Sequence, residues 1–219
     1  MKGLILGQYY ATVKALIIYL IIAVLITLLM AFSGGESSGL LSLLIVMFAI
    51  SAGTDNLKNE AAAEWYKYAV TLPVSRKQIV QSHYGYYLIT MLIGVGITLI
   101  GLVAGSLLGN LEMANVIEAF GISFSIGLLM TLLYPFTYSV GADKSNMIQI
   151  IVGVIVLFIF FVFNFISLII GGTIYESGGD AMQHVEFELI RQSIFIIISL
   201  VVAAAGYFIG LNKFKKTNF

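Results

Sequence analysis

Few residues of this sequence combine the types and spacing that chemistry needs, and each set stops short of a site. His184, Glu186 and Glu188 come nearest to a metal-ligating group. On a helix, however, His184 and Glu188 share one face while Glu186 points elsewhere, so the stretch reads as a solvated acidic helix. An intramembrane metalloprotease would carry H-E-x-x-H, and the sequence has no such motif. Lys144-Ser145 ends like a phosphate-binding loop, but Asp143 and Tyr138 stand where that loop needs glycines, so ATP is not bound in that way. Cysteine is absent, which removes disulfides and thiolate metal sites. The expectation is no catalytic residue, no metal, no cofactor on this chain, and no nucleic-acid partner.

The elements that would position any site belong to a membrane. The chain has 219 residues, 60% hydrophobic and 10% charged, with a mean hydropathy of +1.02, against about 25% charged in a soluble domain. Charge-free runs cover 15–35, 37–54, 78–111, 119–142, 145–175 and 192–212. A spanning helix needs about 20 apolar residues, so six spans fit within one transmembrane domain, 1–219. Alternating barrel patterning is absent, which makes the spans helices. With the N-terminus inside, ten of the eleven Lys and Arg residues fall on the inner side and only Arg191 outside; the reverse orientation breaks the positive-inside rule. The first apolar run is longer than a signal-peptide core, so it reads as a retained span.

The connecting segments carry the information. Residues 1–14 mix apolar and polar groups and suit either an interfacial helix or the frayed start of span one. The charged and aromatic stretch 54–83 lies between spans two and three. A helix from Asn56 to Val70 is expected there, with Glu60 and Glu64 paired against Lys67, and with Trp65, Tyr68, Ala69 and Leu72 on one apolar face. Trp65 and Tyr68 equally suit a lipid interface. Pro73 ends that helix, and Ser75-x-x-Gln78 is a capping box that opens a helix running into span three. Gly101, Gly105 and Gly109, four residues apart, predict one flat face for close packing. Pro135 predicts a kink or an early end in span four. Asn164 is the strongly polar interior group of span five, read as interhelical glue. Between spans five and six, 172–190 is expected to be an external loop with a short helix from Ala181 to Arg191, capped by Asp180.

Two motifs carry a resemblance. Glu64-Trp65-x-Lys67-Tyr68 followed by Thr71-Leu72-Pro73-Val74-Ser75-Arg76-Lys77 resembles the inner segment of small bacterial ABC-2-type permeases, and Pro135, Tyr138, Gly141 and Lys144 resemble their second inner loop. The permeases of staphylococcal phenol-soluble peptide exporters are similar in size. Two departures stand out: His83-Tyr84 where the family pattern has Lys-Tyr, and Ser139-Val140 where it has Lys-Phe.

The resemblance implies an all-α membrane protein of six transmembrane helices of the ABC-2 (type V) exporter kind. It implies an interfacial N-terminal helix and a cytosolic coupling helix, in the plasma membrane of a bacterium with both termini cytoplasmic. Glu64, Trp65, Lys67, Tyr68, Leu72, Pro73 and Arg76 would form the ATPase-coupling segment, with Gly141 and Lys144 in the second inner loop. The partners implied are a cytosolic ABC ATPase carrying ATP and Mg, a second identical or different permease, and membrane lipid. The substrate would be an amphipathic or apolar peptide, lipid or drug moving outward. A non-transporting immunity or sensor protein against a membrane-active peptide is the alternative function.

Overall fold

The computed structural model describes residues 2–33, 37–69, 73–141, 144–175 and 184–216, with the side chains of Ser33, Tyr66 and Lys67 left outside that description. Among the described residues, six helical stretches are long and apolar enough to cross a membrane. They are α1 (Lys2–Ser33), α2 (Ser38–Ala62), α4 (Arg76–Leu107), α5 (Met113–Leu129) with its continuation, α7 (Ser145–Ile174) and α8 (Val185–Lys216). The continuation of α5 is a 3-10 turn (Met130–Leu132) leading into α6 (Leu133–Val140), and a five-residue helix, α3 (Trp65–Ala69), lies between α2 and α4. The described residues contain no strand. In hydrocarbon every backbone N–H and C=O must be bonded within the protein, and helices achieve this locally. At about 1.5 Å per residue, the 32 residues of α1, α4 and α8 span roughly 48 Å each, well beyond the ~30 Å core of a bilayer.

α1 packs on α2 and α4, α2 on α4 and α5, and α5 on α8. α7 is the least engaged: Ser145, Ile148, Val152, Val156, Ser167 and Gly171 are its buried residues, while Phe158, Phe161 and Phe165 point outward, where lipid tails are as apolar as they are. Buried small hydroxyls such as Thr98, Ser123 and Thr137 return their protons to carbonyls one turn back on their own helices.

The boundaries correct the sequence in four places. Within the expected interfacial helix 1–14, residues 2–14 are not a separate helix; they are the first turns of α1. No proline or glycine interrupts Gln8 to Phe32, and Gln8 and Thr12 are tied sideways to Ser82 and Tyr86 of α4. The expected helix from Asn56 to Val70 is cut in two. α2 runs on to Ala62, the chain turns at Ala63-Glu64, and α3 begins at Trp65. The expected external helix from Ala181 to Arg191 is the start of α8 itself from Val185 onward, because nothing between Val185 and Ala205 breaks a helix. Gly171-Gly172 lies inside α7, so the connection is shorter than 172–190; Asp180 falls outside the described residues. Finally, Gly109 is not a packing glycine. It has φ +75° just past the end of α4, and the N–H groups of Gly109 and Asn110 bond the carbonyls of Ser106 and Gly105. That is a helix-terminating Schellman arrangement, which favours glycine.

Gly101 and Gly105 do mark close contact. A Cβ at Gly101 would lie 2.6 Å from both Thr27 Cγ2 and Met30 Cε of α1, so Gly101 admits α1 of the same chain; one at Gly105 would meet Leu111 Cδ1 at 2.5 Å, just past the end of α4, with Ala31 Cα of α1 at an ordinary 3.5 Å. In span four the break is the 3-10 turn just before Pro135, whose nitrogen has no proton for the carbonyl of Thr131.

Candidate functional site

One end of the bundle gathers the start of α1, the end of α2, α3, the start of α4, α6 and the end of α8. It is built from local signals first. The Ser75 hydroxyl accepts the N–H of Gln78 at 3.2 Å, and the Gln78 amide accepts the N–H of Ser75 at 2.8 Å, so the capping box opens α4 as expected. Arg76, one residue on, donates from Nη1 to the carbonyl of Lys215 at 2.6 Å, which ties the first turn of α4 to the last turn of α8.

His83 sits two turns into α4, buried at the centre of this end. Its Nδ1 is 2.6 Å from the Tyr138 hydroxyl on α6, and its Nε2 is 3.0 Å from Glu60 Oε2 on α2, close enough for an ion pair though off the line of a well-formed hydrogen bond. Asn56 Nδ2 donates to the other oxygen of Glu60 at 2.7 Å. Tyr138 packs edge-on against Phe214 of α8, with ring centroids 5.0 Å apart. Tyr134, Tyr84 and Tyr207 extend the aromatic cluster inward, with Tyr84 4.7 Å from Tyr134 and 5.1 Å from Tyr207 between centroids. Four spanning helices are thus joined through one imidazole and its ring contacts. His83 occupies the position where the family pattern has lysine, and it still meets an acidic partner.

α3 lies on the surface of this hub. Trp65 is half-buried, its ring 6.5 Å from that of His83, and Ala69 is fully buried in the core. Tyr68 is 68% exposed and does not share their inward face. Glu64 is exposed and takes φ 49°, an uncommon conformation for a residue with a side chain, and forms the turn between α2 and α3; the side chain of Lys67, its expected partner, lies outside the described residues. Pro73 is exposed, Lys67 contributes backbone to α3, and Leu72 lies outside the described residues. Gly141 ends α6 with φ 110°, its N–H bonded to the carbonyl of Thr137, and the exposed Lys144 caps α7.

A second polar cluster lies at the opposite end, where the sequence predicts a solvated acidic helix. Arg191 donates to Glu188 Oε2 at 3.1 and 2.8 Å, to Glu118 Oε1 at 3.1 Å and to Asn164 Oδ1 at 2.8 Å. Glu188 and Arg191 are buried, so this face of α8 is interior, and the cluster links α5, α7 and α8. Asn164 does join helices as expected, through an arginine. His184 stands outside the cluster, stacked on Tyr175 at 4.4 Å.

Gly35-Glu36-Ser37-Ser38-Gly39 has the spacing of a nucleophile elbow, but Ser38 and Gly39 open α2, no strand occurs among the described residues, and Gly35 and Glu36 lie outside them. Both histidines are engaged elsewhere, so the pentapeptide carries no hydrolase reading.

Six helices long and apolar enough to cross a membrane, tied at one end by a buried polar and aromatic hub with a short helix riding on it, are the architecture of a multi-pass membrane protein. Residues 3–215 match the model of the ABC-2 family transporter proteins, and the chain belongs to that family. No curated protein and no solved structure matches it. Membership makes the chain a transmembrane permease subunit, not itself catalytic, of a class of transporter that works with an ATPase.

Proposed function

We propose that this chain is the permease of an ATP-driven exporter that moves an amphipathic or apolar substrate, a peptide, lipid or drug, out of the cell. A separate cytosolic ATPase carries ATP and Mg, and a second permease, identical or different, completes the membrane part. Both termini and α3 lie in the cytoplasm of this arrangement, in keeping with the ten-to-one division of Lys and Arg. The resemblance to the staphylococcal phenol-soluble peptide exporters makes such peptides the first substrates to try.

One observation carries the reading. α3 presents an exposed Tyr68 on one side, while Trp65 and Ala69 press its other side onto a hub that already joins α2, α4, α6 and α8. A push on Tyr68 therefore reaches four spanning helices through rigid packed contacts. This divides the roles: Tyr68 and Glu64 face the ATPase, and Trp65 transmits. Exposed aromatic anchors at interfaces often contribute about 2 kcal/mol, or roughly thirtyfold in affinity. The test is co-purification with the cognate ATPase and export in proteoliposomes. Tyr68→Ala should lower ATPase affinity by about that factor, and Trp65→Ala should keep association but uncouple hydrolysis from export. Normal association and normal export in both variants and in the double variant would make α3 a membrane anchor only.

A further inference from the structure

One flank of α8 changes character along its length. Ile198, Val201, Ala205, Ile209, Asn212 and Lys216 follow one another at intervals of three or four residues, so they form one stripe on the helix, and all of them are exposed. The part from Ile198 to Ile209 is apolar; at about 1.5 Å per residue it covers roughly 16 Å, close to one leaflet of a ~30 Å hydrocarbon core. Ala205 carries only a methyl group, so the stripe is shallowest between Val201 and Ile209. Past Ile209 the stripe turns polar at once. Ile209, Asn212, Lys213 and Lys216 together line a pocket of about 270 Å³. That is room for a headgroup, whose hydrocarbon chains must lie elsewhere.

The last turn of α8 carries charge of one sign. Lys213, Lys215 and Lys216 occupy it, and no Asp or Glu follows Glu188 in the sequence. The bond from Arg76 Nη1 to the carbonyl of Lys215 holds the first turn of α4, with Arg76 and the exposed Lys77, against that turn. Among the described residues, no carboxylate pairs with Lys77, Lys215 or Lys216. Cations gathered in this way repel one another and raise the local concentration of anions.

We propose that this end of α8 binds an anionic phospholipid, with the phosphate in the pocket and an acyl chain along the apolar stripe. A lysine ammonium has three donors and no acceptor, and the Asn212 amide adds donors, whereas a phosphodiester offers acceptor oxygens and a negative charge. The apolar stripe and the pocket share Ile209, so the occupant must be apolar on one side and anionic on the other. A soluble protein such as an ATPase would meet the lysines but leave the stripe uncovered. A zwitterionic choline lipid would bring a second cation to the cluster. The leaflet concerned is the cytoplasmic one in the orientation proposed above; the binding itself depends neither on transport nor on an ATPase. The tie from Arg76 to Lys215 places the occupant beside the start of α4.

Native mass spectrometry tests this on the full-length permease in a neutral detergent. Equal amounts of dioleoyl phosphatidylglycerol and dioleoyl phosphatidylcholine are added, and the first lipid retained is counted. The expected result is a preference of about tenfold or more for the glycerol lipid. Lys213→Gln combined with Lys216→Gln should remove most of it. Lys2→Gln combined with Lys14→Gln, which deletes the same charge from exposed positions on α1, should preserve it. Ala205→Trp, which fills the shallow part of the stripe and keeps every lysine, should also lower retention of the glycerol lipid. All of these side chains are exposed, so an unchanged helical circular dichroism is expected throughout. Equal retention of the two lipids by the wild-type chain would overturn the proposal. So would an equal loss in the α1 double variant, or full retention in Ala205→Trp. Loss of a co-purifying ATPase in the α8 double variant, with lipid preference intact, would assign the cluster to a protein partner instead.

Discussion

Arg191→Met isolates what a buried charge does in this fold. Methionine nearly matches arginine's aliphatic length, so the change removes charge and hydrogen bonds more than volume. The Arg191 side chain is 2% exposed and that of Glu188 is 0% exposed, whereas Glu118 is 32% exposed. Without the guanidinium, Glu188 keeps a buried charge that, among the described residues, only the Gln192 amide still reaches, at 3.4 Å, and Asn164 Oδ1 loses its donor. Removing one partner of a buried pair costs about 3–5 kcal/mol. Glu118 is partly screened by solvent and adds little, which places the expectation near the lower end, about 3 kcal/mol. For a chain of this length that corresponds to a fall in Tm of about 6–12 °C. Thermal unfolding followed by size-exclusion chromatography in one detergent measures it. Adding Glu188→Gln should restore at least half of the loss, because the uncompensated charge is then gone. A single variant within about 2 °C of wild type, or a double variant as unstable as the single, would refute the assignment of the cost to buried charge.

Three further outcomes follow from particular positions. Gly101→Leu should force α1 away through Thr27 and Met30 and cost about 1–3 kcal/mol, whereas Gly109→Ala should cost about 1 kcal/mol through backbone strain alone and leave α1 in place; Tm together with disulfide cross-linking between α1 and α4 separates the two. Glu64→Gly should raise stability by about 1 kcal/mol, because glycine adopts φ 49° without penalty, and Glu64→Val should lower it. The chain has no cysteine, so single cysteines are clean probes: those at 36, 112 and 180 should react with an impermeant maleimide in whole cells, and those at 58, 77 and 215 should not. The reverse pattern would invert the proposed orientation.

What the sequence reveals here is local, and what it hides is tertiary. The six spans follow from charge-free runs of sufficient length, and the Ser75-Gln78 box needs four consecutive residues, so both are legible. The break at Ala63-Glu64 is not. Ala61, Ala62, Ala63 and Glu64 all favour helix, and the turn exists because Trp65 and Ala69 pack inward on the hub. The hub itself draws on Glu60, His83, Tyr138 and Phe214 from four helices, a convergence that no spacing encodes. Glu188 and Arg191 show the same division. Their i, i+3 relation is readable, but their burial depends on Glu118 and Asn164 arriving from α5 and α7. Gly109 shares the register of Gly101 and Gly105, yet it ends the helix, because packing glycines and terminating glycines look alike in sequence.

The central claim is that α3 is the seat of an ATPase. A photo-activatable amino acid replacing Tyr68, whose side chain is exposed, tests it directly in cells that express the permease from its own genetic setting. After illumination, the permease is purified through a C-terminal tag and the adduct identified by mass spectrometry. The account predicts an adduct with an ABC-type ATPase that fades when the probe is moved to Leu157 on the outward face of α7. Lipid-sized adducts alone at position 68, with no ATPase recovered, would contradict it.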